Sequence, residues 1–274
     1  SYGYTKFPNV ITSLEFERLI NAGGPSGGHL IRPSDMQIPK TVAFIQCVGS
    51  RSAKSGRFYC SNVCCMNTIK DALLIKEHWP ETEIYVFYVD IRAYGKGFEE
   101  LYKRAKEEGV TFIRGLPAEI IEDRRSNDLV LIGENTLRGE LYEVGVGMVI
   151  LSIGIEPQQG SEVIQRLLTL SRTSDGFFME AHPKLRPVDT PTGGVFLAGC
   201  AESPKDIKDS VTQASAAASR ASILMAQGKV TVEALTPIVD AESCRVCGLC
   251  ARVCPYNAIT LNKELKRIEV IEAA

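Results

Sequence analysis

Hydrophobic residues come in short runs separated by polar, Gly- and Asn-rich turns, and the period of each run predicts its element. Residues 41–48, Thr-Val-Ala-Phe-Ile-Gln-Cys-Val, form a largely apolar run that reads as a buried strand, closed by the turn Gly49-Ser50-Arg51-Ser52. A helix is predicted from about Asn67 to His78, with Ser61 or Asn62 as its cap. Residues 83–90 are β-branched and aromatic and predict a second strand ending in Asp90. Phe98, Leu101, Tyr102 and Ala105 fall at helical spacing over 98–108, and Gly109 stops that helix before a third strand at 110–114. Short runs at 119–122, 128–132, 136–142 and 146–153 predict a meander, after which the sheet resumes. The succession βαβαβ followed by a meander predicts an α/β fold with a doubly wound, nucleotide-binding-type unit. Further along, Val195–Cys200 reads as another buried strand ending in a tight turn. A long helix then begins near Pro204-Lys205-Asp206 and carries the small residues Ala214 to Ser219.

Composition narrows the class. The 274 residues, 45% hydrophobic and 23% charged, suffice for one large or two modest domains. A formal net charge of -2 with no basic tract argues against nucleic acid as a partner. The longest apolar stretch, Val146–Ile155, is interrupted by Gly and Ser and falls short of the roughly 20 residues a spanning helix needs, so no membrane span is expected. The nine cysteines are odd in number, tightly clustered and not preceded by a signal peptide, which disfavours a secreted disulfide framework and predicts a cytoplasmic protein.

The late cluster, Cys244-x2-Cys247-x2-Cys250-x3-Cys254-Pro255, matches the bacterial ferredoxin run, in which thiolates wrap one [4Fe-4S] cluster. Thiolates are soft, charged donors suited to iron, and Gly248 lets backbone N–H groups approach the sulfurs. The competing assignment is zinc, which more often takes two separated CxxC pairs. In two-cluster ferredoxins the fourth cysteine serves the other cluster, and no second run follows here. Either Cys254 closes a single cluster, or the chain is a fragment, or a partner completes the fold.

The early cluster places Cys47 at a strand's carboxyl end, where open α/β sheets bind ligands. Cys60, Cys64 and Cys65 sit at the junction of the following loop and helix, where they can converge with Cys47 on one metal centre. A redox dithiol or buried cysteines acting as small hydrophobes are the alternatives. Asp90 could hold a ribose hydroxyl, but the G-x-G-x-x-G such a role requires is missing, and Gly23–Gly28 reads as a loop; an ion pair with Arg92 is the simpler expectation. The start of the long helix would stabilise negative charge, such as that of a reduced flavin ring. His29, His78 and His182 lie in unrelated contexts, and no catalytic triad emerges.

Phe44-Ile45-Gln46-Cys47-Val48-Gly49-Ser50-Arg51, Tyr59-Cys60-Ser61-Asn62-Val63-Cys64-Cys65-Met66, Asp90-Ile91-Arg92-Ala93-Tyr94-Gly95-Lys96-Gly97 and Gly193-Gly194-Val195-Phe196-Leu197-Ala198-Gly199-Cys200 resemble the A-subunit family of the heterodisulfide reductases. That resemblance implies a thioredoxin-reductase-like flavoprotein with several [4Fe-4S] clusters, one of them held by Cys47, Cys60, Cys64 and Cys65. It implies a partial flavin-domain segment at 1–40, an NAD-domain-like unit at 41–155, a closing flavin-domain segment at 156–232 and a ferredoxin-like domain at 233–274. FAD would be met by Gly199, Cys200, Lys205, Asp206 and Ile207, with Cys200 standing where related reductases place an Asp. The family's glycine-rich motif is missing here, so the adenosine half of FAD is expected to be held by another segment or chain. The implied activity is oxidoreductase electron transfer in flavin-based bifurcation, with hydrogenase or formate dehydrogenase donors, ferredoxin and the other members of the heterodisulfide reductase complex as partners. A free-standing disulfide oxidoreductase and a non-catalytic assembly module remain the alternatives.

Overall fold

The computed structural model describes residues 2–228, 236–256 and 258–271. The chain divides into two compact units, residues 1–155 and 156–274. The boundary expected at 232/233 falls outside the described residues.

The first unit is built on a five-stranded parallel sheet. In chain order its elements are β1 (Val10–Thr12), α1 (Ser13–Leu19), β2 (Thr41–Val48), α2 (Cys64–His78), β3 (Glu83–Tyr88), α3 (Phe98–Glu107), β4 (Thr111–Arg114), β5 (Glu119–Glu122), β6 (Leu129–Asn135), β7 (Glu140–Val146) and β8 (Met148–Ile153). The sheet order is β1-β8-β2-β3-β4, and β5-β6-β7 form a separate antiparallel meander. Because β1 pairs with β8, the segment expected as residues 1–40 supplies the edge strand of this sheet.

Alternation along the strands sends residues to two different layers. Val42, Phe44, Ile84, Val86 and Ile150 pack on one face against Phe16 of α1, Ile69, Ala72 and Ile75 of α2, and Ala105 of α3. Ala43, Ile45, Phe87, Val149 and Leu151 pack on the other against Ile120, Leu129 and Leu131 of the meander. Helices therefore cover one face and the meander the other. Burial on both faces explains why β2 and β8 read as continuous apolar runs.

Three local expectations are corrected. Neither Ser61 nor Asn62 caps α2: the helix starts at Cys64 with Val63 at the cap position and no side-chain cap bond, because Ser61 turns away to Ser50 and Ile155. The β6–β7 turn lies at 136–139, after the expected strand ends at 132. Gly139 takes φ 69 there, while Gly133 lies within β6 at a position where a Cβ would collide with the Tyr142 hydroxyl. The third is the buried strand at Val195–Cys200: only the single bridge Asp189–Phe196 forms, Gly199–Ala201 make a 3-10 turn and Cys200 is exposed, because among the described residues no neighbouring strand pairs along it.

The second unit contains α4 (Ser161–Leu168), α5 (Ile207–Gln227), α6 (Leu249–Val253) and the antiparallel hairpin β9 (Ile259–Asn262) and β10 (Arg267–Val270). No helix among the described residues is long and apolar enough to cross a membrane.

Candidate metal centres

The early site is assembled by a loop that leaves β2 and folds back. Along residues 47–51, φ is positive at Cys47 (57°), Gly49 (83°) and Arg51 (52°) but not at the residues between them. Such alternation curls backbone N–H groups toward one side, as in the nests that bind anions and iron–sulfur clusters. The loop is tied down by Arg51 N–H to Tyr59 O (3.1 Å) and Ser52 N–H to Arg57 O (2.8 Å). At its base, the buried hydroxyls of Ser50 and Ser61 are 2.7 Å apart and Ser61 Oγ accepts the Ile155 N–H at 2.8 Å. Gly154 sits beneath them, where a Cβ would run into Ser50 Oγ and lie 3.1 Å from Ser61 Oγ. Cys47, Cys60, Cys64 and Cys65 consequently line one cleft with Arg51, Asn62, Asp90 and Arg92.

The thiols act on one another. Cys64 is pushed up to about 12, first by burial and then by Cys47, Cys65 and Cys60. Burial and the neighbouring thiols also raise Cys47 and Cys65, while Arg51 pulls Cys47 down and Arg92 pulls Cys65 down. Four mutually repelling thiolates need a positive centre among them to lose their protons together. Among the described residues, no three His, Cys, Asp or Glu side chains close on the radius of a single metal ion. The donor set, its two guanidinium neighbours and the Asn62 N–H directed at Cys60 Sγ (3.3 Å) suit a larger anionic cluster.

Arg51 and Arg92 escaped the sequence reading as site residues. Arg51 also corrects the expected partner of Asp90: the Arg51 guanidinium lies 2.6 Å from the Asp90 carboxylate, with Arg114 at 3.7 Å, instead of an Arg92 pair. Arg51 chiefly, with burial opposing it, holds the Asp90 carboxyl below the usual range. This pair joins the strand-end loops of β2 and β3, a relation between segments 39 residues apart that no local spacing reports.

The late site repeats one local device. Val246, at φ 53°, directs its N–H at Cys244 Sγ (3.4 Å), as Asn62 at φ 59° does for Cys60. A β-branched residue in this region is strained. Gly248, at φ 72°, then starts α6, which carries Cys250, and Cys254 terminates that helix. Cys244 is anchored through its N–H to Asp240 O (3.0 Å), and the Asp240 carboxylate accepts from the Glu242 N–H and the Ser243 hydroxyl.

The expected flavin-facing residues form one compact turn. The Lys205 ammonium is 2.5 Å from Glu202 and donates to Gly199 O at 3.0 Å, Cys200 Sγ lies 3.6 Å from Lys205 O, and Asp206 caps α5 by accepting the Asp209 N–H at 2.7 Å. Ile207 is exposed. Lys205 and Asp206 are thus already engaged, and the amino-terminal end of α5 supplies the remaining positive potential.

A family model described as a 4Fe-4S binding domain matches residues 237–260, so the parallel α/β unit is accompanied in this chain by an iron–sulfur domain. Over 261 residues the chain is 55% identical to the iron-sulfur A-subunit 2 of the CoB-CoM heterodisulfide reductase of Methanopyrus kandleri, covering 95% of this chain and 40% of that protein. It is 52% identical over 272 residues to the A-subunit of the H(2):CoB-CoM heterodisulfide,ferredoxin reductase of Methanothermobacter thermautotrophicus (98% and 41% covered). With the A-subunit of the H(2)/formate:CoB-CoM heterodisulfide,ferredoxin reductase of Methanococcus maripaludis it shares 50% identity over 264 residues (96% and 40% covered). The chain belongs to the heterodisulfide reductase A-subunit family and spans about two fifths of the length of these relatives. Among solved structures, Lactococcus lactis thioredoxin reductase overlays 68% of this chain and 53% of its own at TM-score 0.44 and 21% identity. T. acidophilum thioredoxin reductase overlays 78% and 57% at TM-score 0.47 and 14% identity.

Proposed function

We propose that this chain is an electron-transfer section of a heterodisulfide reductase A-subunit, holding one [4Fe-4S] cluster on Cys47, Cys60, Cys64 and Cys65 and another on Cys244, Cys247, Cys250 and Cys254. The observation that carries the reading is the fold-back of loop 49–61, which sets four thiols from the end of β2, the loop and the first turn of α2 around one cleft beside two guanidinium groups. Such clusters pass single electrons, and FAD exchanges pairs. The chain's own contribution is to position the thiolates, to offset their charge with Arg51 and Arg92, and to present the 199–207 turn and the α5 amino-terminal end to a flavin held jointly with another segment or chain. The relatives' names, which include H(2), formate, the CoB-CoM heterodisulfide and ferredoxin, support hydrogen- or formate-oxidising donors and ferredoxin as partners; flavin-based bifurcation, splitting electron pairs between two acceptors, is the further step this reading takes.

The test is anaerobic iron, sulfide and flavin quantification with electron paramagnetic resonance on the reduced protein. About eight irons are expected, for two clusters of four, falling to about four in Cys65→Ala. A Cys65→Ala protein that keeps all its iron overturns the early site, and an iron-free chain that cycles a disulfide overturns the reading as a whole.

A further inference from the structure

Asp71 is an ionisable side chain on α2 with no solvent exposure. Asn67 Nδ2 donates to one of its oxygens at 3.0 Å. Lys70 Nζ lies 2.8 Å from the other in an ion pair. Lys70 also pairs with Glu17 of α1, whose carboxyl comes within hydrogen-bonding reach of Asp71. Glu17 and Lys70 are the charged groups that face Asp71 among the described residues. Two carboxylates therefore share one ammonium, and one of the two lies in the dry interior. Burial chiefly, with Glu17 adding to it and Lys70 opposing, pushes Asp71 up to about 7.

The position matters as much as the charge. Cys64, Asn67 and Asp71 are spaced i, i+3, i+7 and share a face of α2, with roughly 10 Å of helix axis between the first and last. Cys64, Asn67 and Glu17 line a common cleft of about 350 Å³, which gives water a path from the exposed side of Glu17 toward the cysteine site. A charge added at Cys64 would act on Asp71 through a low-dielectric helix and sheet, where screening is weak.

We propose that Asp71, sharing its charge with Glu17, is a proton-binding site linked to reduction of the four-cysteine centre. For each electron that enters there from a one-electron donor of the ferredoxin type, Asp71 takes up one proton from solvent, so the local charge stays constant. The inference rests on the early-cluster reading.

The experiment is an anaerobic redox titration of the holoprotein, followed by electron paramagnetic resonance of the early cluster, across the neutral pH range. The wild-type potential is expected to be flat below about 7 and to fall with pH above it. Asp71→Asn, nearly isosteric, should keep its iron and lose the slope. Glu17→Gln, at a partly exposed position, should keep the slope and move its onset to lower pH. An infrared carboxyl band that appears on reduction and is missing in Asp71→Asn would assign the proton to this residue. A pH-independent wild-type potential, or a slope that survives Asp71→Asn, overturns the proposal while the cluster reading stands. Iron analysis showing no early cluster overturns both. If Asp71→Asn does not fold, the wild-type slope and the Glu17→Gln onset decide.

Discussion

Replacing Gly154 by alanine isolates how the sheet shapes the early site. A Cβ at this position would run into Ser50 Oγ and come within 3.1 Å of Ser61 Oγ and 3.4 Å of the Gly49 carbonyl carbon. Neither serine can yield freely: both are buried, they bond each other at 2.7 Å, and Ser61 holds the Ile155 N–H at 2.8 Å. Overpacking of this kind costs about 1–3 kcal/mol, and breaking one or two hydrogen bonds adds about 1 kcal/mol each, for a total of roughly 2–5 kcal/mol. In a unit of 155 residues that corresponds to a fall in Tm of about 4–20 °C. The serines anchor the loop between Cys47 and Cys60, so on the proposed two-cluster reading Gly154→Ala should also lose about four of eight irons while the ferredoxin-type cluster keeps its resonance signal. Calorimetry and iron analysis on the same preparation provide the check. Unchanged Tm together with full iron content would refute the claim that this contact shapes the site, and lost iron with unchanged Tm would refute the packing magnitude.

Other substitutions probe the remaining elements. Gly248→Ala places a side chain at φ 72° and 3.3 Å from Leu261 Cδ2, a strain of about 1–2 kcal/mol; it should deplete the late cluster and spare the early one, as read by resonance of the reduced protein. Phe16→Ala empties a fully buried position that meets the Phe44 ring edge-on at 5.9 Å and should cost about 3–5 kcal/mol in urea unfolding at constant m-value. Asp189 is held below the usual carboxylate range by Arg220 and Arg186 against the opposing effect of burial, so its contribution is full above the unfolded carboxylate range and is lost as pH falls through the lowered value. Arg220→Met should therefore destabilise the protein at neutral pH and flatten that acid limb, as followed by thermal melts over a pH series.

Much of the fold was legible because its signals are local. The run 41–48 is β2 to the residue, and 98–108 is α3 within one residue. The ferredoxin spacing is equally local, and the family model falls on the same stretch, residues 237–260. The predicted strand at 195–200 failed because an apolar run becomes a strand only when a partner pairs along it, and among the described residues positions 188–190 meet it over one bridge and its two flanking backbone hydrogen bonds alone. The turn after β6 was misplaced because Gly133 looked like a turn residue, whereas it is small to admit Tyr142 from the neighbouring strand.

The sequence by itself therefore determined the class and most of the order of elements along the chain, and it marked the candidate thiols, because periodicity and cysteine spacing are properties of neighbouring residues. Only the tertiary structure decided that Ser50, Ser61 and Gly154 brace the early loop, that Arg51 spans to Asp90, and that Asp71 shares a helix face with Cys64 and a lysine with Glu17. Among these relations, Arg51 to Asp90, Lys70 to Glu17 and Gly154 to the two serines join residues 39 to 104 positions apart. Their energies come from burial and close approach, which exist only once the sheet has brought the strand ends together.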